Sequence, residues 1–236
     1  MRRRPSGEGM ARLHGLEVVE MPSGPNWDAE RFAHQTGWTR VAGVDEAGRG
    51  PLAGPVVAGA VVLPAGVELP GIRDSKQLPP AERERLYDLI VNCGADWALG
   101  LCSPEEIDTL NILNATHLAM RRALEGLSEA ASGALVDGLP VTGLPCPHRA
   151  LVKGDRRSIS IAAAAILAKV TRDRLMLELD ERYPGYDLAG NKGYPTVAHR
   201  AALRRLGPSP CHRMSYEPVA AAVRSDISGG SSPSGA

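Results

Sequence analysis

Val41-Ala-Gly-Val-Asp-Glu-Ala-Gly-Arg-Gly-Pro51 is the stretch on which the fold turns. Its apolar start, with β-branched Val41 and Val44, reads as a buried strand over residues 40–44. That run leads straight into two carboxylates, Asp45 and Glu46, and then into Gly48-Arg49-Gly50. Neighbouring strand residues point to opposite faces, so Asp45 and Glu46 can share one site only if the chain leaves strand geometry between them. Gly48 and Gly50 permit such a departure, and they let backbone N–H groups approach a ligand closely.

Downstream, the same alternation of apolar runs and helical periods continues. Residues 56–63, between Pro55 and Pro64, read as a second buried strand. Residues 81–91 follow Pro80 and place Leu86, Leu89 and Ile90 on one helical face. Trp97, Leu99 and Leu101 alternate as in a short strand. Ser103-Pro-Glu-Glu106 matches a capping box and opens a helix carrying Ile107, Leu110 and Leu113, with a second helical stretch to about Leu127. Strands are expected at 133–136, ending on Asp137-Gly138, and at 150–152. An Ala-rich helix is expected over 161–182, stopped by Pro184-Gly185, and a last core helix over 196–206, ended by Gly207. Strands alternating with helices define an α/β domain.

The 236 residues suit one large domain, expected over 26–225, with low-complexity tails at 1–25 and 226–236 and with Met10 and Met21 as alternative starts. One Phe leaves the core to Leu, Val, Ile and Ala, and 27 basic against 27 acidic residues give no sign of a polyanionic partner. Cys93, Cys102, Cys146 and Cys211 form no C-x-x-C pair, which argues against a zinc site or a disulfide framework and for reduced thiols in the cytoplasm. The apolar run near 55–63 is far short of a membrane span, and no apolar stretch follows the N-terminal arginines as in a secretory signal. The expectation is a cytoplasmic monomer without membrane contact.

Asp45, Glu46, Asp137 and Asp155 each follow or border an apolar strand-like run. Carboxylates beside a sheet cost several kcal/mol unless paired or bound to a cation, so a divalent metal site accounts for all four at once. The plainer account of any one of them is an acid in a turn, since Asp-Gly is a common turn dipeptide. Lys76, Lys153, Arg156 and Arg157 are candidate phosphate contacts, although a lone basic residue is more often simply solvated.

The segment from Val41 to Pro51 resembles the motif of the ribonuclease HII family, and further segments agree with it in order. These are Asp74-Ser-Lys76, Asn111-Ile-Leu-Asn-Ala-Thr116, Val136-Asp-Gly138, Lys153-Gly-Asp155, residues 161–173, Lys192-Gly-Tyr-Pro-Thr196, His212-Arg213 and Ser215-Tyr216. The resemblance implies a ribonuclease H-like fold, a mixed sheet flanked by helices with a small helical C-terminal portion. It implies that Asp45, Glu46, Asp137 and Asp155 are the catalytic, metal-binding acids for Mg²⁺ or Mn²⁺. It further implies cleavage of the RNA strand of RNA–DNA hybrids and of duplex DNA on the 5′ side of an embedded ribonucleotide, leaving a 3′-hydroxyl and a 5′-phosphate. Gly48, Arg49, Gly50 and Tyr194 are the expected readers of the ribose 2′-hydroxyl and its junction, with Lys76 on phosphate. No histidine is assigned a catalytic role. Ala165 stands where the family's helix often carries Ser, and Tyr216 where Phe is usual. The alternatives are a ribonuclease HIII-like enzyme, a resolvase or integrase of the same fold, and a non-catalytic nucleic-acid-binding module.

Overall fold

The computed structural model describes residues 24–229. Five strands form one mixed sheet: β1 (Val41–Ala47), β2 (Val56–Val62), β3 (Asp96–Cys102), β4 (Gly133–Asp137) and β5 (His148–Leu151), in the order β3-β2-β1-β4-β5. β1 pairs antiparallel with β2 and β2 with β3, whereas β1–β4 and β4–β5 are parallel. The helices are α1 (Asp28–Gln35), α2 (Pro80–Asn92), α3 (Pro104–Glu125), α4 (Ile159–Arg182), α5 (Leu188–Asn191), α6 (Val197–Leu206) and α7 (Glu217–Gly229).

α3 and α4 cover opposite faces of the sheet. Ala115, Ala119, Met120 and Ala123 of α3 pack with Ala42, Val44, Ala58 and Val136 in one core cluster. Against the other face, α4 lies so close that a Cβ at Gly43 would overlap the backbone of Ser160 and Ile161, and one at Gly59 would stand 2.7 Å from the carbonyl of Ala164. The run Ala162–Ala165 is therefore a packing requirement: larger side chains would lift the helix off the strands. Leu86 and Ile90 of α2 pack on the far side of α4 with Ala163 and Leu167. At the end of α4, Met176 joins Leu52, Leu188, Leu203 and Val219 in a third cluster, which docks α5, α6 and α7 as a small helical portion.

The start of α3 is a complete capping box, Ser103 accepting from the amide of Glu106 and Glu106 from that of Ser103. Asn111 (φ 65°) breaks α3 and recaps its second half, its Oδ1 accepting from the amides of Leu113 and Asn114. The expected strand at 150–152 lies at His148–Leu151, and the Ala-rich helix begins at Ile159. α1 carries no distinct signal in the sequence: buried Glu30 ties it to α4 by accepting from the hydroxyls of Ser158 and Ser160, both at 2.5 Å. The expected tails lie largely outside the described residues, and α7 runs to Gly229, past the expected boundary at 225.

Candidate active site

The expected break between Asp45 and Glu46 is absent. Both acids stay in the β1–β2 ladder, Asp45 opposite Gly59 and Glu46 opposite Ala58, and the departure comes at Gly48 (φ +100°). Alternation holds, so the two side chains leave on opposite faces. Asp45 opens into a cleft of about 460 Å³ beside Ala165 and Lys169 of α4. Glu46 lines that cleft and also an adjoining one of about 290 Å³ beside Thr116, His117 and Met120 of α3. One site forms because β1 ends there: beyond the last strand residue the two faces meet.

Asp137 closes β4, the parallel neighbour of β1, and lines the second cleft. Its Oδ1 accepts from the amide of Gly154 at 2.6 Å, which ties it to the turn Gly154–Arg156 carrying buried Asp155. The four acids act on one another electrostatically. Burial, then Glu46 and Asp137, and more weakly Asp155, hold the Asp45 carboxyl well above its ordinary range. Burial and Asp137 raise Glu46 despite Arg49, and burial, Asp137 and Asp74 raise Asp155. Among the described residues no three Asp, Glu, His or Cys side chains close on a common point. Each of three acids instead turns an oxygen to a local donor: Asp45 to the Glu46 amide at 2.7 Å, Asp137 to Gly154, and Glu46 to Arg49 at 3.4 Å. The carboxylates are gathered and self-repelling but not closed. An all-oxygen, surplus-negative donor set of this kind fits a hard divalent cation.

Gly48, Arg49, Gly50, Lys76 and Tyr194 line the first cleft with Asp45 and Glu46, and a Cβ on Gly50 would stand 3.5 Å from the Tyr194 ring. Lys76 is placed by buried Asp74, whose carboxylate accepts from the Lys76 amide at 2.9 Å. Burial opposes the Lys76 charge, but Asp45, Asp155, Asp74 and Asp137 outweigh it and raise its pKa. Arg156 is taken by the same Asp74 at 2.8 Å, while Lys153 and Arg157 are exposed on the adjoining turn.

Two buried arginines fix the backbone of the Gly-Arg-Gly loop and of the segments beside it. Arg213 donates to the carbonyls of Gly48 (2.6 Å), Arg49 (2.9 Å) and Gly54 (2.9 Å), and Arg172 to those of Pro55, Lys192 and Ala53 at 3.0–3.1 Å. Burial, and then the charge of Arg213, lowers Arg172 to about 10, which still leaves it charged at neutral pH. A lone arginine in a helix or a C-terminal loop gives no sequence sign of such a role. Tyr216 adds a hydroxyl bond to the Arg49 carbonyl at 2.8 Å that a phenylalanine there could not make.

A solved ribonuclease H2 from Pyrococcus horikoshii OT3 shares this architecture, with TM-score 0.65 and 28% identity over 79% of this chain and 98% of that one. Fold and gathered acids together define a nuclease of the ribonuclease H-like class. The family model described as Ribonuclease HII matches residues 42–219. Ribonuclease HII of Syntrophotalea carbinolica is 53% identical over 195 residues, 83% of this chain and 93% of that protein, and that of Geobacter sulfurreducens 52% identical over 193 residues, 82% and 89%. The chain belongs to the ribonuclease HII family. It is an endonuclease that hydrolyses RNA in RNA–DNA hybrids, and the HIII-like, resolvase or integrase, and non-catalytic readings give way to that.

Proposed function

We propose that Asp45, Glu46, Asp137 and Asp155 hold Mg²⁺ or Mn²⁺, and that the enzyme cuts on the 5′ side of a ribonucleotide embedded in duplex DNA as well as in hybrids, leaving a 3′-hydroxyl and a 5′-phosphate. The observation that carries this is the gathering of Asp45, Glu46 and Asp137 where two clefts meet beside a glycine-rich loop, with buried Asp155 on the turn tied to Asp137 and its charge acting on Asp45. When bound, such ions make a nucleophile available at neutral pH and neutralise charge on the attacking and leaving oxygens.

The chain's own residues supply the discrimination. Arg213 draws the carbonyls of Gly48 and Arg49 inward, and no described peptide bond is cis. In a trans peptide the N–H points opposite to the C=O, so the amides of Arg49 and Gly50 face away from Arg213. They are the groups offered to a ribose 2′-hydroxyl, which deoxyribose lacks. Half-exposed Tyr194, against Gly50, offers its ring to the sugar–base step beyond it. Lys76, charged and fixed by Asp74, takes a phosphate. The catalytic unit is the span from residue 26 through the end of α7, working as a monomer in the cytoplasm. No helix among the described residues is long and apolar enough to cross a membrane.

One gel tests this reading. Duplex DNA with a single ribonucleotide should be cut on its 5′ side in Mg²⁺ or Mn²⁺, an RNA–DNA hybrid should be cut, and all-DNA or a 2′-O-methyl substrate should be refused. Cutting of the 2′-O-methyl substrate would refute the role given to the loop amides. A Tyr194→Ala enzyme at full speed on the single-ribonucleotide duplex would refute the role of Tyr194.

A further inference from the structure

His199 and His212 lie outside the acidic site and are fully buried, in the part of the chain whose core cluster includes Tyr186, Leu188, Leu203 and Cys211. Their Nε2 atoms face each other at 3.0 Å. Two imidazole nitrogens in contact need one proton between them, so the bonds at the far ends fix the direction. His199 Nδ1 lies 2.9 Å from the Tyr194 carbonyl, which can only accept; that nitrogen therefore carries the proton and His199 Nε2 is bare. His212 Nε2 must then donate, which leaves its Nδ1 to accept, from the Ser209 hydroxyl at 2.9 Å and the Ser209 amide at 3.1 Å. All four ring nitrogens are then satisfied in one continuous chain from Ser209 through His212 and His199 to the Tyr194 carbonyl. Burial keeps both rings neutral, as the chain requires: it lowers His199, and with the neighbouring imidazole it lowers His212 to about 4.

The chain begins and ends on backbone that matters for discrimination. Tyr194 is the exposed ring against Gly50, and His212 immediately precedes Arg213, which holds the Gly48 and Arg49 carbonyls. His212 also bridges to Ala53, while the Leu52 amide donates to the Gly193 carbonyl at 2.8 Å, next to Tyr194. The tilted ring of Tyr186 packs on His212, its centroid 4.7 Å away, and limits rotation of the imidazole.

We propose that His199 and His212 are positioning residues: a buried two-imidazole relay that sets the Tyr194 backbone relative to the Gly-Arg-Gly loop and thereby aligns the ring that reads the ribonucleotide junction. This rests on the reading of Tyr194 as a substrate contact. Filling the same space with apolar side chains would serve packing alone but would leave the Tyr194 carbonyl with only the Thr196 amide and would not fix the loop's direction.

The test is a kinetic cycle on duplex DNA bearing one ribonucleotide, run in saturating Mg²⁺ well below the melting temperature. Tyr194→Ala and His212→Phe should each lower kcat by on the order of tenfold. Combined, they should lose no more than about twofold beyond Tyr194→Ala alone, because the relay acts only through that ring. His212→Gln, which returns a donor near the Nε2 position, should recover most of the rate. Losses that multiply in the double variant, or an unchanged rate in His212→Phe, would overturn the relay while leaving Tyr194 a substrate contact. A Tyr194→Ala enzyme of normal rate would remove the underlying reading and the relay with it. If His212→Phe fails to fold, His199→Asn against His199→Leu decides the matter. Asn keeps a donor for the Tyr194 carbonyl and should retain most of the rate, and equal losses would overturn the proposal.

Discussion

Replacing Arg213 by Met removes the guanidinium and keeps an apolar stem of similar reach. Arg213 is fully buried and donates to the carbonyls of Gly48, Arg49 and Gly54 and to the Tyr216 hydroxyl, at 2.6–3.1 Å. In Arg213→Met the Arg49 carbonyl keeps the Tyr216 hydroxyl, but those of Gly48 and Gly54 lose their donor inside the protein. A buried carbonyl without a partner costs about 1–3 kcal/mol, so two of them cost about 2–6 kcal/mol. Relief of repulsion with Arg172 offsets part of this. Against a total stability of about 5–15 kcal/mol, the loss is plain in a urea unfolding curve. Cleavage should fall further than stability predicts, at a temperature where the variant is still folded, because the loop amides lose their orientation. Arg213→Lys returns one nitrogen to that corner and should recover part of both. An Arg213→Met protein that unfolds within about 0.5 kcal/mol of the parent and cuts at the parent rate would refute the stapling role.

Asp45→Asn should abolish turnover while the metal-free protein holds or gains stability, because the folded state raises the Asp45 pKa and the charged form is the strained one. A raised carboxyl pKa costs stability at neutral pH, and that cost fades as pH falls through the raised value towards 3.8; metal-free parent should therefore gain on Asp45→Asn over that range in thermal melts. The sign is opposite for His212, whose lowered pKa gives stability fully present above 6.5 and lost progressively down to about 4. That loss is on the order of 3 kcal/mol and should be flattened in His212→Gln, as read from unfolding curves at several pH values. Gly48→Ala must hold φ near +100° with a Cβ 2.8 Å from the Pro55 carbonyl and overlapping the Arg172 side chain, so it should lose at least about 1–3 kcal/mol and most cleavage activity; parent-like behaviour would show that the loop is not fixed as described.

Legible and illegible features of the sequence divide along a physical line. Local signals are legible: the capping box at Ser103, the proline-bounded strand at 56–62, and the carboxylates closing apolar runs at 45–46 and 137 all depend on residues near one another in the chain. The Ala-rich helix is legible as a helix, but its reason lies in the glycines of two strands pressed against it. The break expected between Asp45 and Glu46 fails because strand alternation does not forbid a shared site at a strand end, where both faces open on one place. Arg172, Arg213 and His212 fall in segments that carry the resemblance, but their roles and that of His199 are illegible, since they depend on partners the chain brings together only on folding: 117 residues separate Arg172 from Pro55 and 165 separate Arg213 from Gly48.

The even balance of charge acquires a meaning from where the cations are spent. Lys169 and Arg83 both lie in the cleft, yet both are held by Asp173, at 2.7 and 3.5 Å, and Arg156 is held by Asp74. Arg172 and Arg213 are consumed by backbone carbonyls. The cations lining the cleft that remain to meet a phosphate directly are Lys76 and Arg49, with Arg49 leaning on Glu46 at 3.4 Å, and exposed Lys153 and Arg157 stand on the adjoining turn. Against these stand the carboxylates of Asp45, Glu46 and Asp155, raised by burial and by neighbouring acidic charge, with that of Asp137 among them, so the bare site repels the backbone it must bind. Whatever neutralises the carboxylates therefore also admits the nucleic acid, and by linkage the nucleic acid must tighten the binding of the cation by the same factor. On the proposed metal site, affinity for the ion and affinity for the hybrid are coupled in this cleft. On that reading, a chain with no net charge acts on a polyanion with part of the needed positive charge brought in by the ions.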